Sequence, residues 1–177
     1  MFTDPVKNLK ALGLEENNIV ADLGAGTGFY AMEAGKLVPK GKVYAVEVIK
    51  DYLMTVKNRA RDEKVNNVEC IWGNIEKLGG TKIKDSIVDA VIVSNVLFQV
   101  DHKDNFLKEI KRILKPRGKV LFVDWLPGSS AVATSSGRVI PKAKAVGMFE
   151  EKGFVLDREI DAGEHHYGMI FRNTHEK

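Results

Sequence analysis

Three glycines at alternate positions, Gly24, Gly26 and Gly28, leave the apolar run Ile19–Leu23 and lead into a stretch of helical spacing that starts at Phe29. Glycine lets a backbone turn sharply and lets a ligand approach with no Cβ in the way. The helix start behind such a loop offers free N–H groups to an anionic group. The full segment runs Val20-Ala21-Asp22-Leu23-Gly24-Ala25-Gly26-Thr27-Gly28-Phe29-Tyr30. A dinucleotide fingerprint wants its third glycine one position later, where Phe29 stands. Asp22 lies two residues ahead of Gly24, where it would repel a pyrophosphate. It suits a ligand that carries an ammonium and a sulfonium. Glycines alone also make a tight turn with no ligand, but an acid downstream argues against that. Glu47 ends Val43-Tyr44-Ala45-Val46-Glu47 about twenty residues beyond the loop, where a carboxylate can accept both hydrogen bonds of a ribose diol and repel a 2′-phosphate.

These residues need elements to hold them, and strand-like and helix-like segments alternate along the chain. Strands are expected at Ile19–Leu23, Val43–Val48, Val68–Trp72, Ile87–Val93 and Val120–Asp124. Helices are expected at Phe29–Val38, Lys50–Glu63, Asp101–Leu114 and Pro141–Lys152, with Asp101 as an N-cap and Pro141 at a first helical position. Phe154–Ile160 and His166–Phe171 read as two further strands. Their link is too short for a parallel crossover. The pattern predicts an α/β fold: a doubly wound, seven-stranded, mostly parallel sheet with one antiparallel strand and helices on both faces, in one domain over residues 1–177.

Ligands of such sheets sit beyond the carboxyl ends of the strands. That selects Ser94, Asn95 and Phe98 after the fourth strand and Asp124 and Trp125 after the fifth. The closing hairpin adds Asp161, His165, His166 and Tyr167. Histidine is the natural base near neutral pH. Neighbouring strand residues face opposite sides, so His166 is the expected catalytic group, with Tyr167 turned the other way and Asp124 close by. A polar hairpin tip with no chemical role is the alternative reading. Asn95 reads equally as a cap on the turn that follows it.

With these residues in place, the chain resembles the class I methyltransferases that use S-adenosylmethionine, and within them the small-molecule branch of the ubiquinone/menaquinone-biosynthesis type. Asp22-Leu-Gly-Ala-Gly-Thr-Gly28 carries the likeness, supported by Asp89-Ala-Val-Ile-Val-Ser94-Asn95 and Leu114-Lys-Pro-Arg-Gly118, over about Ile19 to Phe171. The resemblance implies that Asp22, Gly24, Ala25, Gly26, Gly28 and Tyr30 hold the methionine part and Glu47 the ribose. Val48 and Ile49 would flank the adenine. Asn74, with Ile75, would stand where relatives place an acid for the adenine amino group, accepting that bond without charge. Ser94 and Asn95 would line the cavity near the methyl group. S-adenosylhomocysteine would be the product, and a small-molecule methyl acceptor the partner. Methyl transfer from a sulfonium needs positioning and exclusion of water more than acid–base chemistry, so no triad is expected.

Composition narrows the field further. Of 177 residues, 44% are hydrophobic and 29% charged, which is ordinary globular usage. No apolar run approaches the ~18 residues of a membrane span, and Met1–Lys10 has no apolar signal core. The net charge of +3, from 27 basic and 24 acidic residues, gives no argument for nucleic acid. Cys70 is the single cysteine, which predicts a reducing, cytoplasmic setting. It also argues against cytosine C5 methylation, which needs a cysteine nucleophile. No metal site is expected from His102, His165, His166 and His175. A macromolecular acceptor, or a cofactor-binding module without transferase activity, remains the alternative. A nicotinamide reductase is disfavoured by Phe29 and Asp22. Leu126–Ile140, rich in Gly, Ser and Ala, is the expected cover over the pocket.

Overall fold

A computed structural model describes residues 3–129 and 137–174. The chain opens with a helix that periodicity did not announce, α1 (Pro5–Leu12). Asp4 accepts the Lys7 N–H at 3.1 Å as its cap, proline takes the first position, and Gly13 closes it with φ 69°. There follow β1 (Ile19–Leu23), α2 (Phe29–Leu37), β2 (Lys42–Glu47), α3 (Lys50–Asp62), β3 (Val68–Trp72), β4 (Val88–Ser94), α4 (Lys103–Ile113), β5 (Leu114–Trp125), α5 (Lys142–Glu150), β6 (Phe154–Ile160) and β7 (His166–Asn173).

All seven strands join one sheet in the order β3-β2-β1-β4-β5-β7-β6. β7 alone runs against the others, paired antiparallel with both β5 and β6. Strands buried on both faces read as continuous apolar runs, as β4 does in Val-Asp-Ala-Val-Ile-Val-Ser. One face packs against α4 and α5 through Phe106, Ile110, Phe122, Phe149 and Phe171. Phe149 stacks on Phe171 with ring centroids 4.2 Å apart. Truncating such a ring to alanine costs about 3–5 kcal/mol. The other face carries α1, α2 and α3 through Leu9, Leu12, Ala31, Ala34 and Val56.

Three local expectations change. Asp101 does not cap α4. The backbone N–H groups of Asp101 and His102 both donate to Glu76 Oε1, at 2.6 and 2.7 Å, and the Asp101 carboxylate pairs with Arg138 instead. Pro141 precedes α5 as its cap residue and does not open it. β5 begins at Leu114, not Val120: Val88 pairs with Leu114 and Ala90 with Lys119, so Lys115–Gly118 bulges out of the ladder. Arg117 takes a left-handed φ of 62° in that bulge. Residues 130–136 of the expected cover lie outside the described residues.

Candidate functional site

The carboxyl ends of β1 to β4 open into a cleft of about 780 Å³. Twelve of the thirteen residues that the sequence assigned to a cofactor line it: Asp22, Gly24, Ala25, Gly26, Tyr30, Glu47, Val48, Ile49, Asn74, Ile75, Ser94 and Asn95. Gly28 is the exception. With φ 89°, it lies behind the loop, where a Cβ would meet Val56 Cγ2 at 3.1 Å, so its lack of a side chain lets α3 pack against α2. Gly24, at φ 75°, has no room either: a Cβ there would come within 2.7 Å of Val96.

Four N–H groups of the loop are already paired, while those of Phe29 and Tyr30 at the helix start have no partner among the described contacts, as the sequence reading expected. Gly24 and Ala25 both donate to the Val46 carbonyl, at 2.9 and 3.1 Å. Gly28 donates to the Ala25 carbonyl at 3.0 Å. Gly26 donates to Glu47 Oε2 at 2.9 Å. Glu47 Oε1 receives Val48 N–H at 2.8 Å and Ile49 N–H at 3.0 Å. A carboxylate has about four lone-pair sites; three are filled here. One ribose hydroxyl can bond to Glu47 as it stands, whereas the sequence suggested two. Asn74 is half committed as well, because its Oδ1 accepts the Glu76 N–H at 2.8 Å.

Asp22 is 3% exposed, and its Oδ2 has no hydrogen-bond partner. Burial, and then the nearby Glu47 charge, push its carboxyl up to about 7 against the pull of the Ala31 N–H. Asn95 holds a left-handed φ of 57°, and its buried Oδ1 also lacks a partner. Buried polar atoms are normally satisfied, so two orphaned oxygens on residues of one cleft mark a place built for a ligand. Asp22, Glu47 and Glu76 are the charged residues of the wall, and no Lys, Arg or His stands among the described lining residues. Such a wall favours a cationic ligand and opposes a phosphate.

The family model described as Methyltransferase domain matches residues 14–153. The chain belongs to that methyltransferase family. It is a class I methyltransferase and uses S-adenosylmethionine, as the resemblance implied. Among solved structures, a SAM-dependent methyltransferase from Aquifex aeolicus superposes with a TM-score of 0.86 and 26% identity, over 97% of this chain and 90% of that one. The [4+2]-cyclase SpnF shares the fold at a TM-score of 0.77 and 14% identity, over 90% and 76% of the two chains. Fold alone therefore does not fix the reaction. Among curated relatives, the ubiquinone/menaquinone biosynthesis C-methyltransferase UbiE of Pseudomonas entomophila (strain L48) is 31% identical over 115 residues, which is 64% of this chain and 44% of the relative. UbiE of Pseudomonas paraeruginosa (strain DSM 24068 / PA7) is 29% identical over 70% of this chain and 48% of its own length. The chain spans less than half the length of these relatives.

The methyltransferase places Asp124, His166 and Tyr167 outside the cleft lining. The antiparallel β5–β7 pairing sets Asp124 opposite Tyr167 and Trp125 opposite His166. Tyr167 belongs to the α4/α5 core, with its hydroxyl donating to the Ile140 carbonyl at 2.7 Å. Burial, and then Asp124, drive that phenol upward. Asp124 accepts the Trp125 N–H at 2.8 Å and the Phe98 N–H, and burial raises it to about 6. His166 packs against Trp125 with centroids 4.0 Å apart, and burial, then His165, lower it to about 4. It is therefore uncharged at neutral pH. Among the described residues no His/Cys/Asp/Glu group could hold a metal ion, and no helix is long and apolar enough to cross a membrane.

Wall residues of the methyltransferase that sequence reasoning missed include Thr3, Pro5, Tyr52, Glu76 and Gln99. Asp4-Pro5 followed by Leu9 and Leu12 is a helix-start signature that would have drawn attention to the first two. Nothing local marks Glu76, because its role is set by α4, which begins 27 residues later.

Proposed function

We propose that this methyltransferase methylates a small, largely apolar acceptor, and that the accepting atom is a carbon. The observation that carries this is the wall of the cleft. Its ionisable groups are acids, and its mouth is apolar and aromatic, with Phe29, Val48, Ile49 and Tyr52 all more than 40% exposed there. Likeness to UbiE, named as a C-methyltransferase, supports the choice of atom. Small-molecule sites are mostly apolar with few polar groups, whereas a nucleic-acid acceptor calls for a basic mouth. The half-buried Cys70 thiol fits a reducing cytoplasm.

The residues fit the cofactor. Asp22 and Glu47 supply negative charge for a cation, Gly26, with nothing within 4 Å of where its Cβ would stand, leaves the approach open, and Val48 and Ile49 offer apolar surface to a flat base. When bound, S-adenosylmethionine supplies a methyl group on a sulfonium, an excellent leaving group, to the acceptor's electron pair. The chain's own part is to hold the reacting atoms in line and keep water out. Ser94, Asn95 and Gln99 wall the end of the cleft beyond the glycine loop. There Gln99 donates to the Asn95 carbonyl at 2.8 Å and braces the turn. The test is calorimetric titration with S-adenosylmethionine, S-adenosylhomocysteine and NADH, followed by a mass-spectrometric screen of quinols, phenols and amines. Micromolar binding of the first two without NADH, and a methyl group placed on carbon, supports the reading. Methylation of RNA or protein, offered in a parallel assay, with none of the small acceptors overturns the acceptor class.

A further inference from the structure

We propose that Glu76 binds a hydroxyl group of the methyl acceptor, so that the substrates are hydroxylated aromatic rings; this rests on the reading that a small, largely apolar acceptor enters the cleft. Among the described residues the cleft wall carries three acids, Asp22, Glu47 and Glu76, and no cation. Two of the acids stand together at the glycine loop: Glu47 takes the Gly26 N–H, and its charge acts on Asp22. They answer the ammonium and the ribose of the cofactor. Glu76 is left without a part in that binding.

The start of α4 fixes where Glu76 stands. Its Oε1 accepts the N–H groups of Asp101 and His102 at 2.6 and 2.7 Å. This fastens the side chain at the end of the turn that runs from Asn95 through Gln99 and Val100, all three of them wall residues. Lys103, outside the lining, backs the same turn by donating to the Val100 carbonyl. Burial pushes the Lys103 ammonium down, and Glu76 leads the charges that hold it up. Glu76 is thus tied to the turn after β4, where the cleft continues beyond the glycine loop.

Lone pairs decide what Glu76 can still do. A carboxylate offers about four. Two are filled at Oε1, and Oε2 has no partner among the described contacts. The side chain is half-buried, and its anchored oxygen sets the direction of the other before a ligand arrives. An apolar ring that fills this part of the cleft strips water from Oε2. A carboxylate oxygen covered in that way is costly unless the ring brings a donor. A phenolic hydroxyl brings one and forms a charge-assisted bond; a methyl ether of the same ring does not. The same bond suits methylation at carbon, because a hydroxyl that donates to an anion enriches the ring carbons beside and opposite it in electrons. Binding and reactivity therefore select one class of acceptor.

The experiment titrates 1-naphthol and 1-methoxynaphthalene into the whole chain saturated with S-adenosylhomocysteine, by calorimetry. Wild type should prefer the naphthol about 10- to 100-fold, the size of one hydrogen bond to a charged group. Glu76→Gln keeps an amide oxygen for the two backbone donors of α4 and turns an –NH2 toward the cleft. It should lose the preference by weakening the naphthol alone, with S-adenosylhomocysteine affinity within about threefold of wild type. A preference that survives in Glu76→Gln overturns the proposal, as does equal binding of the two rings by wild type. A tenfold loss of S-adenosylhomocysteine affinity in the variant also overturns it, because Glu76 would then serve the cofactor. If Glu76→Gln does not fold, infrared difference spectra of wild type with 13C-labelled glutamate decide: a carboxylate band should move with the naphthol and stay still with the ether, and a band that moves with neither refutes the bond. Binding of neither ring by wild type sinks the apolar-acceptor reading itself, a result plainly different from a lost preference.

Discussion

Asp22 and Asp124 make a controlled comparison within one sheet. Each stands near the carboxyl end of its strand, β1 and β5. They are 3% and 1% exposed, and each accepts backbone N–H groups while its Oδ2 stays without a partner. Burial raises both. The difference lies in what they face. Asp22 looks into a cavity that also holds Glu47, and the repulsion between the two acids waits for a cation. Asp124 lies across from Tyr167 and under the turn that carries Phe98, outside the cleft. Perturbed ionisation identifies candidate sites only together with access. By ionisation alone these two aspartates look alike, and only the cavity separates a binding acid from one that braces a turn.

The largest effect that tests this contrast is on affinity. Asp22→Asn should weaken S-adenosylmethionine by about 30- to 100-fold, the range for losing a bond to a charged group. Asp124→Asn should change it by no more than about threefold. Equal losses in calorimetry would erase the distinction.

Stability should show the opposite order. Burial lifts Asp124 from 3.8 to about 6 in the folded chain, so its contribution is fully present below about pH 4 and lost as the pH rises through about 6. Removing the ionisation keeps that stability. Asp124→Asn should therefore be more stable than wild type at pH 8, by up to about 3 kcal/mol, and no more stable at pH 4, as read by urea titration. A variant that is weaker at both pH values would show that the carboxylate's two backbone bonds outweigh its burial.

A third expectation sharpens the role of Asp22. Its carboxyl stands at about 7 in the empty cleft, and a cationic ligand selects the ionised form. S-adenosylmethionine affinity should fall up to tenfold per pH unit below about 7. It should level above that until the ligand's own ammonium titrates near 7.7–8.0. Asp22→Asn should flatten the acid limb, and Asp124→Asn should leave it in place. The smallest effect belongs to the adenine end: Asn74→Ala should cost about three- to tenfold in affinity, one neutral hydrogen bond.

Most of the fold was legible in the chain because it is written locally. Apolar runs of strand length, helical spacing between them, and a hairpin too short for a crossover suffice to predict a mostly parallel sheet with one reversed strand. The glycine loop and Glu47 could be read because their spacing in sequence is their spacing across one strand–helix–strand unit. Two kinds of information were hidden. Who already occupies a donor is a tertiary fact: nothing near Gly26 says that Glu47 has claimed its N–H. Which way the end of β7 faces depends on its register against β5, and that register turned Tyr167 into the α4/α5 core and His166 under Trp125. Position beyond a strand's carboxyl end was therefore a sound guide for β1 to β3 and for Ser94 and Asn95 after β4, and did not bring Phe98 or the candidates at β5 and β7 into the cleft lining.

Helix α1, whose start brings Thr3 and Pro5 to the cleft wall, is itself fastened to later parts of the chain. Lys7 pairs with Asp161 at 2.6 Å, Arg158 reaches the Ala11 carbonyl, and Lys119 reaches the Leu12 carbonyl at 3.2 Å. On a ribosome two of these anchors, Arg158 and Asp161, emerge some 150 residues after the helix, a wait of about ten to thirty seconds at ordinary rates of elongation. During that interval the glycine loop can already be folded while the wall beside it has nothing to lean on. The part of the cleft wall that Thr3 and Pro5 supply is thus the part that closes late.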